Sequence, residues 1–175
     1  MERREMLKLI ALYTGAAMIG GEFLLAGCKA PTGEDITFSD DVKSLLNEIG
    51  ETIIPRTNTP GAKDADVAKV MEVVVRDCYW PANQKVFLDG IRQIDEEAKG
   101  KFGKTFMQIS PEQRKELLVA LEEEAKKFNE KVEEKDKPVR EKMDKESKGY
   151  DFIASPRHYY TMMKQLTMLA YFSSK

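Results

Sequence analysis

An all-α fold, one domain of about five helices, follows from the spacing of the apolar residues and from the residues that open and close each segment. Beyond residue 39, apolar side chains recur at three- and four-residue intervals. Ser, Asp and Pro stand where helices should begin, and Pro or Gly where they should end. No stretch alternates apolar and polar residues as a half-buried strand would, and no segment repeats.

Ser39 reads as the N-cap of the first helix, with Asp40 and Asp41 well placed against the helix dipole. Val42, Leu45, Leu46, Ile49 and Ile53 form its apolar face, and Pro55 stops it. Residues 55–62 read as a fixed loop, with Pro60-Gly61 suited to the centre of a type II turn. Asp64 or Asp66 can cap a second helix carrying Val67, Val70, Met71, Val74, Val75 and Cys78, which Trp80-Pro81 breaks. A third helix is expected from Ala82 to Ala98, with Phe87, Ile91 and Ile94 on one face, fraying through residues 99–103. Ser110-Pro111-Glu112-Gln113 opens a fourth with Ser at the N-cap, Pro at N1 and Gln at N3, and Leu117, Leu118 and Leu121 are its buried face. From Lys126 to Lys148 the chain is almost entirely charged and Pro138 interrupts it, so it is either a solvated helical extension or a flexible linker. Ser155-Pro156 starts a last helix, with Tyr159, Tyr160, Met162, Met163, Leu166, Leu169, Tyr171 and Phe172.

Ahead of this domain stands a leader. Arg3-Arg4, followed by Met6-Leu7-Lys8, resembles the signal of the twin-arginine export route, which moves folded proteins. An apolar stretch follows and ends in Leu25-Ala26-Gly27-Cys28, which resembles a lipobox, where the Cys28 thiol receives diacylglycerol and the bond before it is cut. The plainer reading is an uncleaved membrane helix, since Leu7 to Leu25 approaches the ~20 apolar residues a span requires. Gly15, Gly20, Gly21 and the charge of Glu22 count against it. Residues 1–27 are therefore expected to be a signal peptide, 28–38 a lipidated tether, and 39–175 the helical domain with its charged stretch at 126–148.

Removing the leader leaves about 148 residues, enough for one modest core. The chain carries 28 Lys and Arg against 30 Asp and Glu, and no basic face stands out, which argues against nucleic acid as a partner. With Cys28 acylated, Cys78 is the one remaining thiol and no intramolecular disulfide can form. No His, Cys, Asp and Glu group has metal-ligand spacing, no Gly-rich loop follows a strand, and no nucleophile motif or Cys-x-x-Cys-His occurs. No catalytic, metal-binding or cofactor-binding residue is expected. His158 reads as a surface or interface residue beside Arg157, and Cys78 as a small core residue. The Met162, Met163 and Met168 cluster reads as core. Trp80, with Tyr79, is either an interface anchor or a helix-end aromatic that closes the core. The loop residues Pro55, Thr57, Asn58, Thr59, Pro60 and Gly61 are candidates for a partner-facing surface, because a mere turn needs only Pro60 and Gly61.

These residues also carry a resemblance. Ile53-Ile54-Pro55-Arg56-Thr57-Asn58-Thr59-Pro60-Gly61-Ala62, followed by Val67 and a helix, resembles the signature of the gluconate 2-dehydrogenase subunit 3 family, with Asn58 where an aspartate is common. Phe87-Leu88-Asp89-Gly90-Ile91, the Phe106–Leu118 segment and Leu166–Ser174 are similar to later parts of that family, with Ala170 in place of a usual glycine. The charged stretch at 126–148 looks longer than in relatives, and many relatives continue past the position of Lys175 into a Gly/Pro/Tyr-rich tail.

The resemblance implies a non-catalytic small subunit. Its partner would be a large FAD-dependent dehydrogenase of the glucose-methanol-choline type acting on sugars or polyols, with FAD in that partner and none in this chain. A cytochrome c subunit would be a further partner, passing electrons onward. The small subunit would aid folding of the flavoprotein, travel with it through export, and hold it at the membrane facing the periplasm or cell surface. A cofactor-free helical domain has no need to cross a membrane folded, whereas a flavoprotein loaded with FAD in the cytoplasm does. The rival readings are a stand-alone surface lipoprotein that binds a ligand or another protein, and an enzyme in its own right.

Overall fold

The structure, a computed structural model, describes residues 36–146 and 148–174. Arg3, Arg4, Cys28 and most of the expected tether lie outside the described residues. Within them are five α-helices and no strand: α1 (Asp40–Ile53), α2 (Val67–Cys78), α3 (Pro81–Phe102), α4 (Pro111–Lys145) and α5 (Tyr159–Ser173). Short 3₁₀ turns at Phe106–Gln108 and Gly149–Asp151 flank α4. No helix among them is long and apolar enough to cross a membrane.

Helix α5 is the hub, packing against all four of the others. Its sequence explains why, since Tyr159, Tyr160, Met162, Met163, Leu166 and Ala170 are all buried, a broader apolar surface than one face of a surface helix. The mid-helix hydroxyl of Thr167 is buried there without penalty because it donates to the Met163 carbonyl (2.8 Å). Phe87, Phe106, Leu46, Ile49, Met71 and Ile94 fill the rest of the core.

The local start and stop signals act largely as the sequence predicts. The Ser39 hydroxyl accepts from Val42 N–H (3.4 Å), and α1 ends at Ile53, two residues before Pro55. Ser110 and Gln113 form the reciprocal capping box of α4, with Pro111 in its first turn.

Several expectations need correction. Neither Asp64 nor Asp66 caps α2 through its side chain. Asp66 takes the N-cap position in the left-handed region (φ 47°). The orphan Ala68 N–H is instead taken by Asn47 Oδ1 from α1 (2.9 Å), while Asn47 Nδ2 donates to Asp66 (2.9 Å). Helix α3 runs a full turn past Ala98, and Gly103 (φ 72°) then closes it by donating to the Lys99 carbonyl (2.8 Å). The turn at Phe106 is held in place by Asp95 and by Arg114, which donates to the Phe106 and Met107 carbonyls (3.0 and 2.9 Å). Arg114 also pairs with Glu48 of α1, tying α4 to α1.

The charged stretch is helical, and α4 passes through Pro138 rather than breaking there. A proline inside a helix removes a hydrogen bond and costs ~3 kcal/mol in isolation. The returning chain offsets this by docking along α4. Buried Asp136 accepts from Ser155 N–H and Oγ (both 2.7 Å), Glu133 pairs with Arg157 (3.0 Å), and Asn129 accepts from His158 N–H (3.0 Å). That extended segment replaces the expected first turn at Ser155-Pro156, so α5 begins only at Tyr159.

Candidate partner-binding site

Two acidic side chains, one at each end of the 55–62 segment, build the loop. Glu51, in the last turn of α1, accepts Arg56 N–H on Oε1 (2.7 Å) and Lys63 N–H on Oε2 (2.9 Å). Asp64 accepts Gly61 N–H (2.8 Å) and holds the Arg56 guanidinium through both oxygens (2.8 and 2.5 Å). The Gly61 N–H, and then Arg56, hold the Asp64 carboxyl below its ordinary range. The Ala62 N–H returns to the Ile54 carbonyl (3.0 Å) and closes the neck.

Gly61 is buried and is not among the positive-φ residues, which are Asp66 and Gly103, so the segment is not a type II turn about Pro60-Gly61. Glycine is needed there for space: a Cβ would stand 2.5 Å from Glu51 Oε1 and 2.7 Å from Arg56 N.

The resulting tip is exposed from Pro55 to Pro60, with a backbone fixed from within. Thr57 N–H donates to the Thr59 carbonyl (3.1 Å), leaving the side chains of Thr57, Asn58 and Thr59 available to a partner. Tyr171 donates its hydroxyl to the Pro60 carbonyl (2.9 Å), joining the loop to the C-terminal end of α5. That end is apolar and open. Met168, Leu169 and Phe172 are exposed, Phe172 by 75%, and Tyr171 meets Phe172 edge to face at 5.2 Å. Met168 is therefore not core, unlike Met162 and Met163. The site thus offers a rigid polar loop beside an apolar helix end, an arrangement suited to recognising a protein surface.

Trp80 does not join this site. The Asn47–Ala68 and Lys43–Glu72 contacts make α1 and α2 antiparallel, so the loop lies at the N-terminal end of α2 and Trp80 beyond its C-terminal end. The twelve residues of α2 separate them by roughly 18 Å. Trp80 does not close the core: it is 61% exposed, and Tyr79 takes the edge-on place against Phe87. Cys78 is exposed rather than buried, because the apolar face of α2 turns away one turn earlier at Val75.

His158 is buried rather than at the surface, with 7% exposure. It is the N-cap of α5: Nδ1 accepts from Tyr160 N–H (3.3 Å), and the ring lies between Phe128 (5.5 Å) and Tyr159 (4.3 Å). Burial holds its pKa below the ordinary 6.5, against the opposing pull of Glu124. The unfolded chain therefore takes up this proton first. The contribution to stability is intact above about pH 6.5 and shrinks as pH falls toward the depressed folded value. Thermal unfolding between pH 8 and pH 5 should show this decline, and His158→Asn, which can cap without titrating, should flatten it.

Among the described residues no three His, Cys, Asp or Glu side chains gather as a metal site. A family model for gluconate 2-dehydrogenase subunit 3 matches residues 40–175, from the first residue of α1 onward. The chain belongs to the gluconate 2-dehydrogenase subunit 3 family. No curated protein and no solved structure matches it. Within this subunit 3 fold, the segment most distinctive in the sequence, Ile53 to Ala62, is the loop whose backbone Glu51 and Asp64 fix. Glu51, Asp64 and Tyr171 were not legible as its supports, because each acts across a turn or a helix that sequence spacing does not reveal.

Proposed function

We propose that this protein is the non-catalytic, lipid-anchored small subunit of an exported FAD-dependent dehydrogenase of the glucose-methanol-choline type, acting on a sugar or polyol. It would bind the flavoprotein as that subunit folds, accompany it through the twin-arginine route, and hold it at the membrane through acylated Cys28. FAD would belong to the large subunit, and a cytochrome c subunit would carry electrons onward. The observation that carries this reading is the family match, which takes in every helix of the domain. The 55–61 loop and the Met168–Phe172 end of α5 support it as the surface that meets the flavoprotein. A preorganised loop loses little conformational entropy on docking, and the neighbouring apolar side chains supply area to bury. Lipid arithmetic supports the anchoring role. Each buried methylene contributes ~0.8 kcal/mol, and two or more acyl chains on Cys28 would retain the complex where a single chain would not.

The export role has a direct test. Replacing Arg3 and Arg4 together by Lys should leave both this chain and its flavoprotein in the cytoplasm. Dehydrogenase activity that still reaches the periplasm in that strain would overturn the carrier role.

A further inference from the structure

The chain enters the domain at the end opposite the loop. Phe38 is buried, stacked on Phe87 of α3 (6.2 Å between centroids, 7° between planes), and donates its N–H to Glu72 Oε1 of α2 (3.1 Å). Lys43 closes on the other Glu72 oxygen at 2.9 Å. The tether is thus clamped to the middle of α2 and the second turn of α3. Helix α1, with 14 residues, sets this entry roughly 21 Å from the loop.

The same end of the domain exposes Cys78 and Trp80. Tyr79 packs on Phe87 in place of Trp80, whose indole stands 61% exposed. A large ring with an apolar body and one N–H donor is best placed where apolar and wet regions meet, as at a lipid headgroup boundary. The charges here are mixed. Asp40, Asp41 and Asp77 are exposed, Arg76 pairs with Asp77 (2.8 Å), and Lys85 pairs with Asp89 (2.7 Å), so no cationic field favours anionic lipid. Such a surface fits zwitterionic headgroups.

The anchored tether leaves the domain beside this edge, since Phe38 and Tyr79 both pack on Phe87. From Cys28 to Phe38 the chain reaches at most about 35 Å when fully extended. A tether that short confers a local concentration of order millimolar, enough to populate a contact too weak to form in free solution. We propose that the Cys78–Trp80 edge rests on a zwitterionic bilayer with Trp80 at headgroup depth, leaving the 55–61 loop and the end of α5 on the far side for the flavoprotein. This rests on the lipid anchor of the function proposed above.

Trp80 is the only tryptophan, so intrinsic fluorescence reports on it alone. The full protein, purified from membranes with its Cys28 acylation verified by mass, is reconstituted into phosphatidylcholine vesicles with and without brominated acyl chains. The chain from residue 29 onward, which carries neither leader nor lipid, mixed with the same vesicles gives the solvent-exposed reference. A blue-shifted emission, mostly lost in brominated vesicles and unchanged by adding anionic lipid, is the expected result. Acylated protein that floats with the vesicles while Trp80 stays solvent-like and unquenched overturns the proposal and leaves that edge to a protein partner. Native protein found without acylation overturns the anchor and this proposal together, which separates the two failures.

Discussion

Gly90→Ala should destabilise the domain by about 2 kcal/mol in urea unfolding, while Gly100→Ala on the same helix should stabilise it by up to ~1 kcal/mol. The two glycines of α3 differ only in what faces them. A Cβ on Gly90 would lie 2.5 Å from Tyr159 Cγ and 2.6 Å from Cδ2, with the Tyr159 Cβ also in collision. Because that Cβ is fixed to the α5 backbone, relief requires α5, the hub of the fold, to move. Overpacking of this kind costs about 3 kcal/mol, partly offset by the ~1 kcal/mol better helix propensity of alanine. At Gly100 nothing lies within 4 Å, so only the propensity gain remains. Equal effects at the two sites would contradict the close α3–α5 approach.

Gly61→Ala should weaken binding of the proposed flavoprotein partner at least about tenfold while leaving helix content intact, a loss worth about 1.4 kcal/mol. The added methyl group displaces the Glu51 carboxylate and presses on the Arg56 backbone. Releasing Glu51 frees the Arg56 and Lys63 N–H groups, and the tip from Pro55 to Pro60 then loses its fixed shape. Most of the cost falls on binding because the tip from Pro55 to Pro60 is exposed. Titrating purified large subunit against the two forms measures the difference, and circular dichroism checks the fold. Unchanged affinity in the variant would remove the loop from the interface.

What could be read from the sequence was what neighbouring residues decide among themselves. The Ser39 cap, the Ser110–Gln113 capping box, the stop before Pro55 and the apolar faces of α1 and α2 through Val75 all act within one or two turns. What escaped was set by contacts between distant segments. Asp66 takes the N-cap position of α2 as expected, but the side chain that receives the Ala68 N–H is Asn47 from α1. Asp136 and Asn129 draw the returning chain onto α4, which sustains the helix through Pro138 and buries His158 at the head of α5. Cys78 follows the periodic pattern of α2 past the point where the helix leaves the core, and Trp80 lies beyond its end. In the candidate site, Pro55, Thr57, Asn58, Thr59, Pro60 and Gly61 stood out through their turn chemistry. The Glu51 and Asp64 braces and the open Met168–Phe172 surface did not, since an acid near a turn and an apolar residue in a core-like helix look ordinary until the fold places them.

If this chain works as part of a flavoprotein complex, as proposed, purification from the native host will bring the partner with it. A C-terminal tag, gentle solubilisation of membranes and a visible absorbance spectrum of the eluate are enough, with mass identification of each chain. A flavin spectrum and a large second chain of the glucose-methanol-choline type are the expected result, because the cofactor would travel with the partner. A colourless eluate containing this chain alone would contradict it.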